Sequence, residues 1–434
     1  MRHLPPDDAL REQLHNEVHA RPSARIRLPA LVLYVAVLNE GVSREDECSH
    51  LRRLPGQATL APAELQRNFV RLRLPRGTLK WERHSEFTRY AFVQPLPEAL
   101  SLPAAPHDMH DTWAIEADWL RGLPGRTVAA IELVMLHGPL DDAPTTLADA
   151  ARWFDSHAVV ASRMGASAVG GGHPVDGHSM AVTDFGLRAD GFERMLVVAP
   201  PGTSESRAGR ISQRLLELET YRLMALRGLP AAKALGPMLS RSEQALAEIT
   251  QALESGREAE PVLLEQLIAL AATVERATAE HQYRFSATQA YHALVRQRLD
   301  ELREKAVPGT QTLGEFMQRR LSPAIATVAA SERRLGGLSQ RIERAGALLR
   351  TRVDIATEAQ NQQLLAQLTR GQALQLRLQT TVEGLSIAAI SYYVVSLVLY
   401  GAKAAKGAGM AMLNPELVAG ASIPLVLWAV WKAT

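Results

Sequence analysis

The sequence predicts an α+β domain that continues into a long α-helical, coiled-coil-like stalk and ends in C-terminal transmembrane helices. Three observations carry that expectation. Short apolar or alternating runs, of strand length, fill residues 1–202. Beyond them apolar residues recur at helical spacing, and no proline interrupts residues 324–414. Near the end, residues 384–402, GLSIAAISYYVVSLVLYGA, carry no charge. As a helix they measure about 28 Å, close to the hydrocarbon thickness of a bilayer.

The strands come first. IRLPALVLYVAVL, residues 26–38, reads as a buried strand. NFVRLRL, TLKWERH and FTRYAFVQ alternate apolar and polar residues, and Pro75 to Gly77 separates the first two. They predict an antiparallel meander with one wet face. TVAAIELVML, residues 127–136, is a second buried strand, and TTLADAARWF a short helix capped by Thr145 or Thr146. AVVASRM, SMAVTDF and RMLVVAP give three more strands, broken by the glycine-rich GGGHPVDGH of residues 170–178.

Helices follow. Ile211, Leu215, Leu218, Leu223 and Leu226 lie on one helix ended by Gly228 and Pro230. A long helix from about Pro261 is closed by Pro308 and Gly309. In the next, Val328, Leu335, Ile342, Leu349 and Ala356 recur every seven residues, the seam of a coiled coil, intramolecular or between chains. A second apolar run, residues 417–431, contains Pro424 and reaches about 22 Å, so it either spans or is re-entrant. Of the six lysines in the chain, Lys403, Lys406 and Lys432 edge these two runs, and Tyr400, Trp428 and Trp431 suit a membrane interface. The expected boundaries are therefore residues 1–202, 203–383 and 384–434, the last a hairpin of helices at about 384–402 and 417–431.

Composition narrows the function. A net charge of +2, carried mostly by scattered arginines, gives no case for nucleic acid. A single cysteine, Cys48, excludes an internal disulfide framework and fits a reducing compartment. No apolar stretch follows the N-terminal MRHLPPDDALREQLH, so no secretory signal is read there.

Several clusters look like chemistry. In HNEVHARP, His15 and His19 would share one helical face, with Asn16, Glu17 and Arg21 around them. Glu17 points away from that face, so the zinc-protease pattern is not met, and docking onto the domain or a neighbouring subunit is the expected role. HDMHD, residues 107–111, packs two histidines and two aspartates together, with helix capping as the plainer reading. Cys48 and His50 fall in a charged run expected to be exposed. Arg222, beside Glu219 and Tyr221 on an amphipathic helix, predicts an ion pair or hydrogen bond between domains. In the apolar run, Ser386, Ala389, Tyr393, Ser396 and Tyr400 form a hydroxyl-bearing stripe whose groups need partners in lipid, either another helix or a polar path.

LHNEVHARP, TDFGLRADGFERMLV (residues 183–197, with Asp184), RLLELETYRLMAL (residues 214–226, with Arg222) and ISYYVVSLV (residues 390–398) together resemble a bacterial family of membrane-anchored proteins, domain-of-unknown-function family 3422. That resemblance spans essentially the whole chain and implies no activity. The overall plan is also similar to that of CorA-type magnesium channels. Gly409, Met410, Pro415 and Glu416 match that family's loop, while Ala411 replaces its asparagine and Asn414 lies nearby.

These readings converge on a non-enzymatic scaffold or sensor in the bacterial inner membrane, its large domain facing the cytoplasm and binding a ligand or partner. No cofactor, metal or nucleic acid is expected. The lipid bilayer and further copies of the chain are the expected partners, and no protein partner is identified. A CorA-like divalent-cation channel or transporter is the alternative.

Overall fold

The computed structural model of the 434-residue chain describes residues 8–11, 24–106, 108–156, 158–165, 177–409 and 414–433. Two compact units emerge: Met1–Ala247 with Ala269–Ile342, and Glu248–Ile268 with Glu343–Thr434.

The first unit is organised by one nine-stranded sheet. Its strands are β1 (Ala30–Leu38), β2 (Phe69–Leu74), β3 (Gly77–Arg83), β4 (Phe87–Pro95), β5 (Arg126–His137), β6 (Val160–Met164), β7 (Ser179–Leu187), β8 (Glu193–Ala199) and β9 (Lys305–Ala306). They lie in the order β2-β3-β4-β1-β5-β8-β7-β6-β9. Only β5 and β8 run parallel; the other neighbours are antiparallel. Every residue of β1 is buried, as its unbroken apolar run requires of a strand covered on both faces.

Alternation sorts the core into two layers. Ala30, Val32, Tyr34 and Ala36 point to one face, packed by α4 (Glu205–Leu226), the C-terminal part of α6 (Glu260–Leu302) and the start of α7 (Leu313–Gly407). Leu31, Leu33, Val35 and Val37 point to the other, with Trp81, Tyr90 and Phe92. That face is closed by α1 (Arg44–Leu51), α2 (Ala117–Arg121) and α3 (Ala143–Phe154) through Cys48, Leu51, Trp119, Trp153 and Phe154.

Three expectations need correction. The meander is wet only along β2, where Arg71 and Arg73 are exposed; on β3 and β4 the polar Lys80, Glu82 and Arg89 are buried, beneath the face covered by α4 and α6. Cys48 and His50 are also buried; Cys48 Sγ donates to the Leu60 carbonyl at 3.5 Å, and the His50 ring packs on Trp119 at 4.5 Å. Burial, with the Arg53 charge beside it, lowers the His50 pKa to about 4. Helix α3 is capped by Asp142, whose side chain accepts from the Thr145 amide at 3.2 Å, and not by Thr145 or Thr146.

Helix α5 (Gly228–Ser255) completes the helical set. The heptad seam is buried at Val328, Leu335, Ile342 and Leu349 and ends before Ala356, which is exposed. Within the first unit, partners from the same chain flank that seam. Arg334 of α7 pairs with Glu243 of α5 at 2.8 Å, and Gln289 of α6 bonds to Glu332. An intramolecular bundle is therefore formed over this stretch.

In the second unit, Arg352 of α7 donates to the Leu253 carbonyl at 2.8 Å. Beyond it α7 stands largely uncovered, and α8 (Pro415–Ala433) follows. Both α7 and α8 contain a stretch long and apolar enough to cross a membrane. In these stretches Ser391 on α7 and Pro415 and Ala419 on α8 are buried, and the other residues are half-buried or exposed.

Candidate functional site

On the helix-covered face of the sheet, charged side chains gather in two clusters joined by α4. The first begins with strand geometry. Lys80 and Glu82 are two apart on β3 and so share a face, and Glu82 pairs directly with Arg89 of β4 in the antiparallel register. Lys80 Nζ lies 3.1 Å from Glu82, and the Arg89 guanidinium is hydrogen-bonded to the same carboxylate. Arg89 Nη1 also donates to Glu217 of α4 at 2.9 Å. The other Glu217 oxygen accepts from Arg298 of α6 at 2.6 Å, and Gln213 donates to the first at 2.8 Å.

From there the chain of alternating charges continues outward. Arg298 pairs with Glu301 at 2.9 Å, and Glu301 with Arg214 at 3.2 Å. Side-chain exposure rises along it, from 2% at Glu82 to 34% at Arg214. Burial opposes the Glu217 charge, but Arg89 and Arg298 overcome it and hold the pKa at about 2. Tyr34 closes the inner end: its hydroxyl is 2.8 Å from that of Thr220, and burial raises its pKa. A cavity of about 30 Å³ lies among Tyr34, Lys80, Glu82 and Arg89. It has room for water and none for a substrate.

The second cluster draws on β7, β8 and α4. Arg222 Nε donates to both Glu219 oxygens, at 2.8 and 3.0 Å, and its Nη2 is 3.7 Å from Glu193. Asp184 pairs with Arg188 at 2.8 Å. Between them, the register of β7 against β8 shifts, and Phe185 takes a φ of 50°, a left-handed conformation costly for an aromatic residue. Its ring stacks on Phe316 of α7 at 4.4 Å and lies 5.2 Å from the Arg222 guanidinium. Burial first, and then the neighbouring Glu219 charge, push the Glu193 pKa up to about 9, so at neutral pH the Glu193–Glu219 pair shares a proton.

The structure thus brings Asp184 and Arg222 to one cluster, and Arg222 makes its ion pairs inside the sheet unit. His15, Asn16, Glu17, His19 and Arg21 lie outside the described residues, as do His107, residues 170–176 of the glycine-rich stretch, Met410 and Ala411. His110 contacts Asp108 at 2.8 Å and Asp190 at 3.3 Å. Among the described residues no group of three or more histidine, cysteine or acidic side chains is arranged to hold a metal ion.

On the apolar part of α7, Tyr393 and Tyr400 are each 68% exposed, and Ser386 and Ser396 are half-buried. Ser391, which is not in the stripe, is buried. Gly409, Asn414 and Glu416 are exposed where α7 ends and α8 begins. Sequence reasoning missed Lys80, Glu82, Arg89, Glu217, Glu193 and Arg298. Opposite charges two apart on a strand otherwise facing apolar residues were the available signal.

No curated protein matches the chain, and no solved structure does. One family model matches residues 6–434, with the description "Protein of unknown function (DUF3422)", and the chain belongs to that family.

Proposed function

We propose that this chain is a membrane-anchored, non-enzymatic sensor or scaffold that forms homo-oligomers. Its sheet unit binds a ligand or partner on the cytoplasmic side of a bacterial inner membrane, and the two C-terminal apolar helices hold it there. The observation that carries this reading is the exposure of a charge-free helical stretch: Tyr392, Leu397 and Tyr400 are 71%, 69% and 68% exposed. Lipid is the solvent that suits such a surface, because every backbone group of a helix is already bonded internally. Just before it, exposed Leu364, Leu368, Leu378, Val382 and Leu385 fall on coiled-coil spacing, which suits pairing with further copies. The non-enzymatic reading is supported by the first buried cluster, whose charges pair with one another around a water-sized cavity.

Fractionation tests the anchor. The full chain is expected in the membrane fraction, released only by detergent, and a chain ending at Gln379 in the aqueous one. Full-length protein that washes off in high salt would refute it. Exposed Asn414 and Glu416 at the start of α8 favour a second reading, a divalent-cation channel. Magnesium flux into liposomes that disappears with Glu416→Ala or Asn414→Ala would establish that reading instead.

A further inference from the structure

At the outer end of the charge chain, Arg214 opens onto a groove of about 590 Å³. Its position follows from the helix: Arg207, Arg210 and Arg214 are three and four residues apart on α4, so they share one face. Arg303, just beyond the end of α6, is brought to the same groove by the bond from the Gly165 amide to the Leu302 carbonyl at 2.8 Å. His178 lines it too, and its Nδ1 is buried without a hydrogen-bond partner among the described residues.

Four guanidiniums therefore face one space against one lining carboxylate, Glu301, which already serves both Arg214 and Arg298. Among the described residues no carboxylate pairs with Arg207, Arg210 or Arg303. Converging like charges repel, and an anion placed among them removes that cost. Guanidinium forks match the oxygens of a phosphate, and the groove has the volume of a small-molecule site.

We propose that this groove binds the phosphate group of a small soluble molecule, held by Arg207, Arg210, Arg214 and Arg303. The proposal deepens the reading of the sheet unit as a ligand-binding module. An anion that engages Arg214 competes with Glu301, and Glu301 bonds Arg298, which bonds Glu217 in the core. Occupancy of the groove is in this way felt by the buried cluster.

Calorimetry on the full-length protein in detergent tests it, with inorganic phosphate and pyrophosphate as probes. Saturable binding is expected, weakened about tenfold or more by Arg207→Ala and by Arg210→Ala, each of which removes charge-assisted hydrogen bonds. Both side chains are exposed, so the variants should keep the wild-type melting temperature. Arg319→Ala and Arg320→Ala, which alter a different groove, should bind as wild type does. Absence of saturable binding up to about 10 mM of either probe would overturn the proposal. So would alanine variants at Arg207 and Arg210 that bind unchanged. Mixed micelles containing phosphatidic acid supply the lipid arm: capture through these arginines without binding of either soluble probe would also overturn it. Membrane retention, scored on the same preparations, reports on the anchor separately.

Discussion

The two units of this chain handle polarity in opposite ways. The sheet unit buries charge: Lys80, Glu82, Arg89, Glu217 and Glu219 are each less than 9% exposed. The helical unit exposes grease: Leu385, Tyr392, Leu397, Leu417, Leu425 and Trp431 are each more than two-thirds exposed. Water penalises both arrangements, so each requires compensation. In the sheet unit the compensation is internal, since each buried cation meets a carboxylate within a few ångströms. In the helical unit no such cover lies within the unit's described residues, and the proposed bilayer and further copies would supply it.

That contrast is broken most severely at Arg89. Arg89→Ala leaves Glu82 without its cross-strand partner and Glu217 with Arg298 as its one paired cation, and is expected to cost about 3–5 kcal/mol in thermal or denaturant unfolding. A double change, Arg89→Met with Glu217→Leu, should recover a large part, because it removes the charges together. A loss below about 1 kcal/mol for Arg89→Ala would mean that the network is solvated.

The pH dependence is next in size. Glu217 is held at about 2, below its ordinary value of 4.5, so it binds fewer protons folded than unfolded. Its contribution, about 3 kcal/mol, is full above pH 4.5 and is lost as pH falls toward 2. Glu193 has the opposite sign. Its pKa is raised to about 9, so its contribution is present below pH 4.5 and is lost as pH rises through 9. Denaturant titrations at a series of pH values should show Glu217→Gln flattening the acid limb and Glu193→Gln the alkaline one. An alkaline limb unchanged in Glu193→Gln would place the shared proton elsewhere.

Smaller still is Tyr34→Phe, which removes the bond to Thr220 and leaves the ring packed. About 1 kcal/mol is expected from the midpoint of unfolding. At the low end, Glu98→Gln breaks the exposed pair with Arg27 and should change stability by a few tenths of a kcal/mol at most. A larger effect there would erase the distinction between buried and exposed pairs.

Much of the fold was legible in the sequence, because alternation and continuous apolar runs are local signals. The eight longer strands follow from such runs, and α4, α6 and most of α7 from helical spacing, whereas α5, which holds Pro230 and Pro237, was not read from the sequence. What covers a face is not local. TLKWERH and FTRYAFVQ show polar residues on one side of the meander, but that side is closed by α4 and α6, more than a hundred residues away. The same limit applied to Cys48 and His50, whose charged neighbours Glu45 and Asp46 turn outward while they pack inward. At the α3 cap, Asp142 and Thr145 are both capping types, and only geometry decides which accepts. Asp184 and Arg222 were singled out from motifs far apart in the chain. That both belong with Glu193 depends on strand pairing between β7 and β8, which no spacing rule supplies.

The central claim, that the exposed apolar helices are covered by lipid, is tested most directly by comparing two residues of equal exposure. Ile355 is 65% exposed and Leu397 is 69% exposed, both on α7, but only Leu397 lies in the charge-free stretch. Single cysteines at the two positions, in a Cys48→Ala background, can be reacted with a water-soluble maleimide after reconstitution into vesicles. Rapid labelling of Ile355→Cys with protection of Leu397→Cys, relieved by denaturation in detergent, is the predicted result. Equal labelling of both positions in intact vesicles would contradict it.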